Sequence, residues 1–171
     1  MRIGILGGGQ LARMLALAGH PLGLSFVFID PAPDACAQSL GEHHVSDWAG
    51  DHLIEGLAGC DRVTFDFENV PAETLAQLDH HFTVAPSAQA LSISQDRLDE
   101  KALFQAHGMA VAPHAAVGDR PALLAALAEL GCPAILKTRR MGYDGKGQYR
   151  LDTPEDCEPA WQVMAEAPGG L

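Results

Sequence analysis

Lys137-Thr138-Arg139-Arg140-Met141-Gly142-Tyr143-Asp144-Gly145-Lys146-Gly147-Gln148 is the stretch on which the reading of this chain turns. The preceding Pro133-Ala134-Ile135-Leu136 has the apolar run of a short buried strand, so Lys137 emerges where that strand ends. Gly142, Gly145 and Gly147 let the backbone turn its N–H groups toward an anion, which is how a glycine-rich loop holds phosphate. Tyr143, Asp144 and Lys146 add a ring, a carboxylate and a second cation, chemistry suited to a substrate as well as to a phosphate. Asp144-Gly145 is also a common turn dipeptide, so a plain polar hairpin is the competing reading. Residues 148–151 would return as the second strand of that hairpin.

Outward from this loop, Thr153-Pro154-Glu155-Asp156 offers an N-cap, a proline at the first helical position and an acid three residues on, opening a helix toward Glu166. Residues 168–171 have a loop composition. On the other side lie an alanine- and leucine-rich helix over 121–130, a strand around 113–117, and an amphipathic helix over 96–107 that Gly108 stops. The texture changes near 91–94, which divides the chain into domains 1–93 and 94–171. The first of these alternates strands (2–6, 25–29, 62–67, 83–85) with helices (11–18, 51–58, 72–78). That alternation predicts a doubly wound α/β domain with a parallel sheet covered on both faces.

Composition bounds the function. The chain has 171 residues, 47% of them hydrophobic and 19% charged, which describes a globular protein with a sizeable core. A net charge of −11 argues against a nucleic-acid binder, which needs a basic footprint to displace counterions. No apolar run approaches the roughly 20 residues of a membrane span, and the start at Met1-Arg2-Ile3-Gly4 reads as a strand, so the expected location is cytoplasmic. Cys36, Cys60, Cys132 and Cys157 form no Cys-x-x-Cys pair and are expected to be reduced packing residues. His43-His44 and His80-His81 lack the i, i+4 spacing of helical metal ligands and read as surface or strand-edge residues; no metal ligand is assigned.

Two further signals lie in the first domain. Gly7-Gly8-Gly9-Gln10-Leu11-Ala12 fits the G-x-G-x-x-A dinucleotide fingerprint, and Asp30 ends the second strand where an acid would meet a ribose hydroxyl. An NAD site is therefore one reading. The other signal is Thr64-Phe65-Asp66-Phe67-Glu68-Asn69-Val70-Pro71, which puts two acids and an amide at the C-terminal end of a central strand, the edge where open α/β sheets bind ligands. In a continuing strand Asp66 and Glu68 share a face, and Glu68-Asn69 should meet the Gly9-Gln10 turn on one rim.

Taken together, Gly7-Gly8-Gly9-Gln10-Leu11, Phe65-Asp66-Phe67-Glu68-Asn69-Val70-Pro71, Gln95-Asp96-Arg97 with Lys101, and Lys137 with Gly142-Tyr143-Asp144-Gly145-Lys146-Gly147-Gln148 make the chain resemble the ATP-grasp superfamily. Within it, the resemblance is to the carboxyaminoimidazole ribonucleotide synthetases of purine biosynthesis. It covers essentially the whole chain. It implies a Rossmann-like pre-ATP-grasp domain followed by the small α+β subdomain of an ATP-grasp domain. It also implies a cytoplasmic homodimer whose substrates are ATP, bicarbonate and aminoimidazole ribonucleotide, with no nucleic-acid or membrane partner. In such enzymes ATP phosphorylates bicarbonate to carboxyphosphate, which the amine of the ribonucleotide captures. By the resemblance, Arg97 and Lys137 contact the ATP phosphates while Gly142, Tyr143, Asp144, Gly145, Lys146, Gly147 and Gln148 close over them as a lid that excludes water. Gln10, Leu11 and Glu68, joined by Tyr143 and Lys146 from the lid, face the ribonucleotide, and Asp144 and Lys146 are the candidate catalytic residues.

The chain departs from the family pattern at Asp66, where a glutamate is usual, and in length, since such enzymes are about double its size. The expectation is that the adenine-contacting hinge and the Mg²⁺ ligands belong to a C-terminal part not included here, and that this polypeptide alone does not turn over. The competing functional readings are another ATP-grasp ligase, of the formate-dependent glycinamide ribonucleotide transformylase or biotin carboxylase type, and a non-enzymatic NAD-binding domain.

Overall fold

Glycine-punctuated apolar segments assemble the sheet of the first unit, residues 1–92, in a computed structural model that describes residues 1–50, 52–142 and 145–171. Its strands are β1 (Arg2–Leu6), β2 (Ser25–Asp30), β3 (Glu42–Val45) and β4 (Arg62–Phe65), all parallel, in the order β3-β2-β1-β4. Successive strand residues point to opposite faces, so Ile5 and Leu6 of β1 belong to different cores. Ile5 joins Phe26 and Phe28 of β2 against Ala12 and Ala16 of α1 (Gln10–Gly19). Leu6, Ile29 and Val63 pack on the other side against Leu53 of α2 (His52–Gly56), the following Leu57, and Leu75 and Leu78 of α3 (Ala72–Leu78). The sheet is thus covered on both faces. Burying each of these large side chains contributes about 1.5–3 kcal/mol relative to exposure.

Several expectations for this unit need correction. β4 ends at Phe65, two residues early, because Asp66 leaves the strand direction to hydrogen-bond elsewhere; Asp66 and Glu68 therefore do not share a strand face. Residues 83–85 form no full strand. They contribute one parallel bridge, Val63 to Val84, held by Val63 N–H to Thr83 O and Ala85 N–H to Val63 O, each 3.0 Å. β3 was not expected, since Glu42-His43-His44-Val45 has no apolar alternation; its pairing with Val27 to Asp30 of β2 makes it the sheet edge and accounts for the half-buried His43 and His44. Asp51, the expected start of the helix that becomes α2, lies outside the described residues.

α4 (Ala88–Gln95), also unexpected, carries the chain into the second unit, residues 93–171. There α5 (Arg97–Ala106) and α6 (Arg120–Leu130) each begin at an aspartate cap: Asp96 accepts from Leu98 N–H at 2.9 Å, and Asp119 from Ala122 N–H at 2.8 Å. β5 (Ala134–Lys137) and β6 (Gln148–Leu151) form the antiparallel hairpin, and α7 (Cys157–Met164) follows a short 3₁₀ turn in which the Asp156 carboxylate accepts from Thr153 N–H and Asp152 N–H, both 2.9 Å. Leu123, Leu127, Leu136, Leu151, Ala160 and Met164 make the core. The strand expected around 113–117 does not form, because Pro113 brings no N–H and the segment has no ladder partner among the described residues. The cysteines are all free thiols; Cys157 is a buried packing residue as expected, whereas Cys132 is exposed.

Candidate functional site

In the second unit the glycine loop is built around one buried side chain. Thr138 is 2% exposed, its N–H donates to Gly147 O at 2.8 Å, and its hydroxyl leans on the same carbonyl at 3.4 Å. Gly147 has φ 64°, and a Cβ there would stand 2.5 Å from Thr138 Oγ1, so glycine is required for both backbone and space. Gly142 approaches the same hydroxyl from the other end of the loop, its Cβ direction reaching Oγ1 at 3.0 Å. Arg97, the first residue of α5, is half-buried and donates Nη2 to Gly142 O at 3.2 Å. Lys137 stands exposed at the end of β5, in register with Gln148.

These contacts bring Arg97, Lys137, Gly142, Gly147 and Gln148 to one corner, with Gly145 and the exposed Lys146 in the same loop. Tyr143 and Asp144 lie outside the described residues. The buried strand read from residues 133–136 is half right. Leu136 is buried, but Ile135 is 54% exposed on the face it shares with Lys137, since a two-stranded hairpin covers only one side of itself. A cleft of about 490 Å³ is lined in part by Arg97, Lys101, His114, Ile135, Lys137 and Thr138.

Sequence reasoning missed what holds this corner. Asp96, 7% exposed, accepts Nε and Nη2 of Arg139 at 3.1 and 2.6 Å, and Arg140 Nη2 donates to Gln95 Oε1 at 2.6 Å. Burial pushes the Asp96 carboxyl upward, but the hydrogen bonds from Arg139 and Leu98 N–H, with the guanidinium charge, outweigh it and hold the group below the usual carboxylate range. The available signal was an aspartate at an N-cap position directly before Arg97.

In the first unit the glycine turn is filled by the protein's own acids. Asp66 Oδ2 accepts from Gly9 N–H and Ala12 N–H, both at 3.0 Å, while Asp30 accepts from Gly8 N–H at 2.7 Å and Ala32 N–H at 2.8 Å. Gly7, at φ 114°, has Asp66 Oδ1 only 1.6 Å from where a Cβ would be. The fingerprint glycines thus admit carboxylates, and Asp30, expected to face a ribose, is tied to backbone; the dinucleotide reading loses both its anion seat and its acid. Burial pushes the Asp66 carboxyl above its ordinary value, with the nearby Asp30 charge acting the same way and the two N–H donors only partly offsetting them.

Beyond Asp66 the rim is anchored on either side of Glu68. Phe67 packs on Trp48 in a tilted pair, 4.8 Å between ring centroids and 31° between planes, Trp48 Nε1 donates to Ile29 O at 2.9 Å, and Val70 is fully buried. Glu68 is exposed between them, and it lines a cleft of about 440 Å³ with Leu11, Met14, Leu15, Phe65 and Asp66. Leu11 and Glu68 therefore border one cleft; Gln10, expected on the same rim as Glu68, is exposed at the start of α1 and does not line that cleft. Among the described residues no cluster of His, Cys, Asp and Glu could hold a metal ion, and no helix is long and apolar enough to cross a membrane.

Comparison with known families places these features. The ribonucleotide synthetase preATP-grasp domain matches residues 1–95, and the ATP-grasp domain matches residues 102–170. The chain belongs to the ribonucleotide synthetase preATP-grasp family. This preATP-grasp chain is 50% identical over 169 residues to the N5-carboxyaminoimidazole ribonucleotide synthase of Pseudomonas aeruginosa, a match covering 98% of the chain and 47% of that protein. It superposes on the N5-carboxyaminoimidazole synthetase of Staphylococcus aureus complexed with ADP with a TM-score of 0.92 at 32% identity, covering 97% of this chain and 45% of that one. The Aspergillus clavatus N5-carboxyaminoimidazole synthase, in complex with ADP and 5-aminoimidazole ribonucleotide, gives 0.85 at 25% identity, covering 98% and 44%. The chain spans about half the length of the relatives it matches. Membership of the preATP-grasp family and the carboxylate-filled glycine turn speak independently against an NAD site at Gly7-Gly8-Gly9.

Proposed function

We propose that this chain supplies the ATP-phosphate corner and the ribonucleotide-facing rim of an N5-carboxyaminoimidazole ribonucleotide synthase, a ligase that joins bicarbonate to the amine of aminoimidazole ribonucleotide with ATP as the driving reactant. The observation that carries the reading is the convergence of Arg97, Lys137, Gly142, Gly147 and Gln148 in a chain of net charge −11. Two cations so placed favour the phosphates of ATP by charge and orientation, which is the main protein contribution to phosphoryl transfer. Arg97 and Lys137 bind the phosphates, while Gly142, Gly145, Gly147 and Gln148, with Tyr143 and Asp144, cover them and keep water from the activated bicarbonate. Ile135, exposed beside Lys137, offers an apolar surface for the base.

On the other unit, Glu68 engages ribose hydroxyls and Leu11 and Gln10 border the substrate. Lys146 pairs with bicarbonate or the substrate phosphate, and Asp144 orients the proton that leaves the amine as the new carbon–nitrogen bond forms. ATP would bring Mg²⁺, whose hard charge suits carboxylate ligands; the described residues hold no cluster that fits it. A cytoplasmic homodimer belongs to the same reading, and light scattering of the purified protein tests the dimer.

The deciding experiment is ATP hydrolysis by the full-length protein with bicarbonate and Mg²⁺, comparing aminoimidazole ribonucleotide added with omitted. Strong stimulation by the ribonucleotide is expected. Hydrolysis indifferent to it, but stimulated by glycinamide ribonucleotide with formate or by biotin, would transfer the chain to another ATP-grasp ligase.

A further inference from the structure

We propose that Gln95-Asp96 and Arg139-Arg140 form a clasp that positions Arg97 and the root of the glycine loop for ATP, so that Arg139 is a positioning residue and not a phosphate ligand. The inference rests on the ATP reading above. Two adjacent residues at the junction of α4 and α5 hold two adjacent residues just after β5: Asp96 takes the fork of Arg139 at 3.1 and 2.6 Å, and Gln95 takes Arg140 at 2.6 Å. Gln95 and Asp96 are 9% and 7% exposed, so the acceptors are buried although the arginines reach outward.

The backbone is locked to the same geometry. Arg97 N–H donates to Arg139 O at 3.1 Å, and Arg139 N–H donates to Gly170 O at 3.0 Å. The residue that delivers a guanidinium to Gly142 O is therefore held, at its own peptide, by the residue that the Asp96 carboxylate grips. With Asp96 also capping α5 through Leu98 N–H, a single carboxylate sets both the start of the helix that carries Arg97 and the exit of the strand that carries Lys137. Arg139 is unsuited to bind phosphate itself, because Nε and Nη2 are already committed to Asp96 and that negative charge stands against an approaching anion. A lysine at 139 would keep the charge but lose the two-pronged geometry.

The test uses Asp96→Asn, Arg139→Met and Arg139→Lys in the full-length protein, with Lys137→Ala and Met164→Ala as references. ATP dissociation constants are measured by calorimetry, Michaelis constants for ATP and the ribonucleotide by steady-state kinetics, and folding by thermal melting. A positioning clasp predicts that Asp96→Asn and Arg139→Met each weaken ATP about tenfold through misplacement of Arg97. Their double variant should be little worse than either alone, because the pair acts as one unit. Arg139→Lys should fall between, and the Michaelis constant for the ribonucleotide should change less than that for ATP, since Gln10, Leu11 and Glu68 in the first unit are untouched and only the loop contacts are shared. Met164→Ala, a core change in the same unit, should lower the melting temperature without changing ATP affinity. Clasp variants that melt early yet bind ATP normally would overturn the proposal, as would Asp96→Asn binding ATP more tightly while Arg139→Met binds it less. If Lys137→Ala weakens ATP and the clasp variants do not, the clasp falls and the ATP site stands; if the unaltered protein binds no ATP, the site assignment itself falls.

Discussion

Removing the Asp66 carboxylate tests whether the first unit's rim is held by an internal anion. The N-cap of α1 is Gly9, which has no side chain with which to satisfy the first amides of its own helix. Asp66 serves from 54 residues away at Ala12, and also takes Gly9 N–H, both at 3.0 Å. Each bond is worth about 0.5–1.5 kcal/mol net, and loss of an N-cap alone costs about 1 kcal/mol. Relief of the burial that raises the Asp66 pKa offsets part of this, so Asp66→Ala should destabilise the first unit by about 1–2 kcal/mol. For a unit of this size that is a fall of roughly 4–16 °C in melting temperature. The chain has two tryptophans, Trp48 and Trp161, one per unit, so a Trp161→Phe background leaves Trp48 fluorescence as a reporter packed against Phe67 next to the altered residue. Asp66→Asn should be nearly neutral at pH 7, because an amide oxygen can accept both N–H groups with no charge to bury. The pH dependence follows from a raised folded pKa: the group's stabilisation is full below its unfolded pKa and declines as pH rises through the folded value, so the gap between the native protein and Asp66→Ala should be widest in acid. An Asp66→Ala protein as stable as the parent, or an Asp66→Asn protein as damaged as the alanine variant, would refute the reasoning.

Further outcomes can be checked on the second unit. Lys137→Ala should weaken ATP by about 1.5–3 kcal/mol if its charged hydrogen bond forms, and an unchanged affinity in titration calorimetry would remove Lys137 from the site. Gly147→Ala places a Cβ 2.5 Å from Thr138 Oγ1 at a φ of 64°, so it should cost about 1–3 kcal/mol of stability and weaken ATP binding; Gly23→Ala in the first unit, at φ 75° and ψ 23° with open space around its Cβ direction, carries left-handed backbone strain alone and should be milder in thermal melts. Asp96 and Asp156 both have depressed pKa values, Asp96 through Arg139 and Leu98 N–H overcoming burial, and Asp156 through Thr153 and Asp152 N–H. Their stabilisation is present above the unfolded carboxylate pKa of about 3.9 and is lost as pH falls through the folded values. Acid titration followed by Trp161 fluorescence in a Trp48→Phe background should show this loss, and Asp96→Asn should flatten it.

Local pattern carried most of the architecture. The alternation of apolar strands with helices, Gly108 after α5, and the proline and acid after Thr153 each act within a few residues, so β1, β2, α1, α3, α5, α6, the 134–151 hairpin and α7 were legible as sequence. The parallel sheet followed from strands separated by helices, because a parallel neighbour needs a crossover. Lys137 and the glycines of 142–148 were singled out for a similar reason, as a cation and glycines following an apolar strand, whereas Arg97 entered only through the family resemblance.

Tertiary structure decided what those residues bind to. β3 is a strand because β2 presents an edge to Glu42-His43-His44-Val45, and residues 113–117 are not one because no edge among the described residues receives them. The first glycine turn has a dinucleotide spacing, yet its amides belong to Asp30 and Asp66, the latter 57 residues from Gly9. Arg139 is one more cation in the basic run, and its partner, Asp96, lies 43 residues earlier. Backbone propensity and hydrophobic period are local properties that a chain carries with it, whereas a carboxylate selects its donor only after folding has set which N–H or guanidinium lies within hydrogen-bond reach.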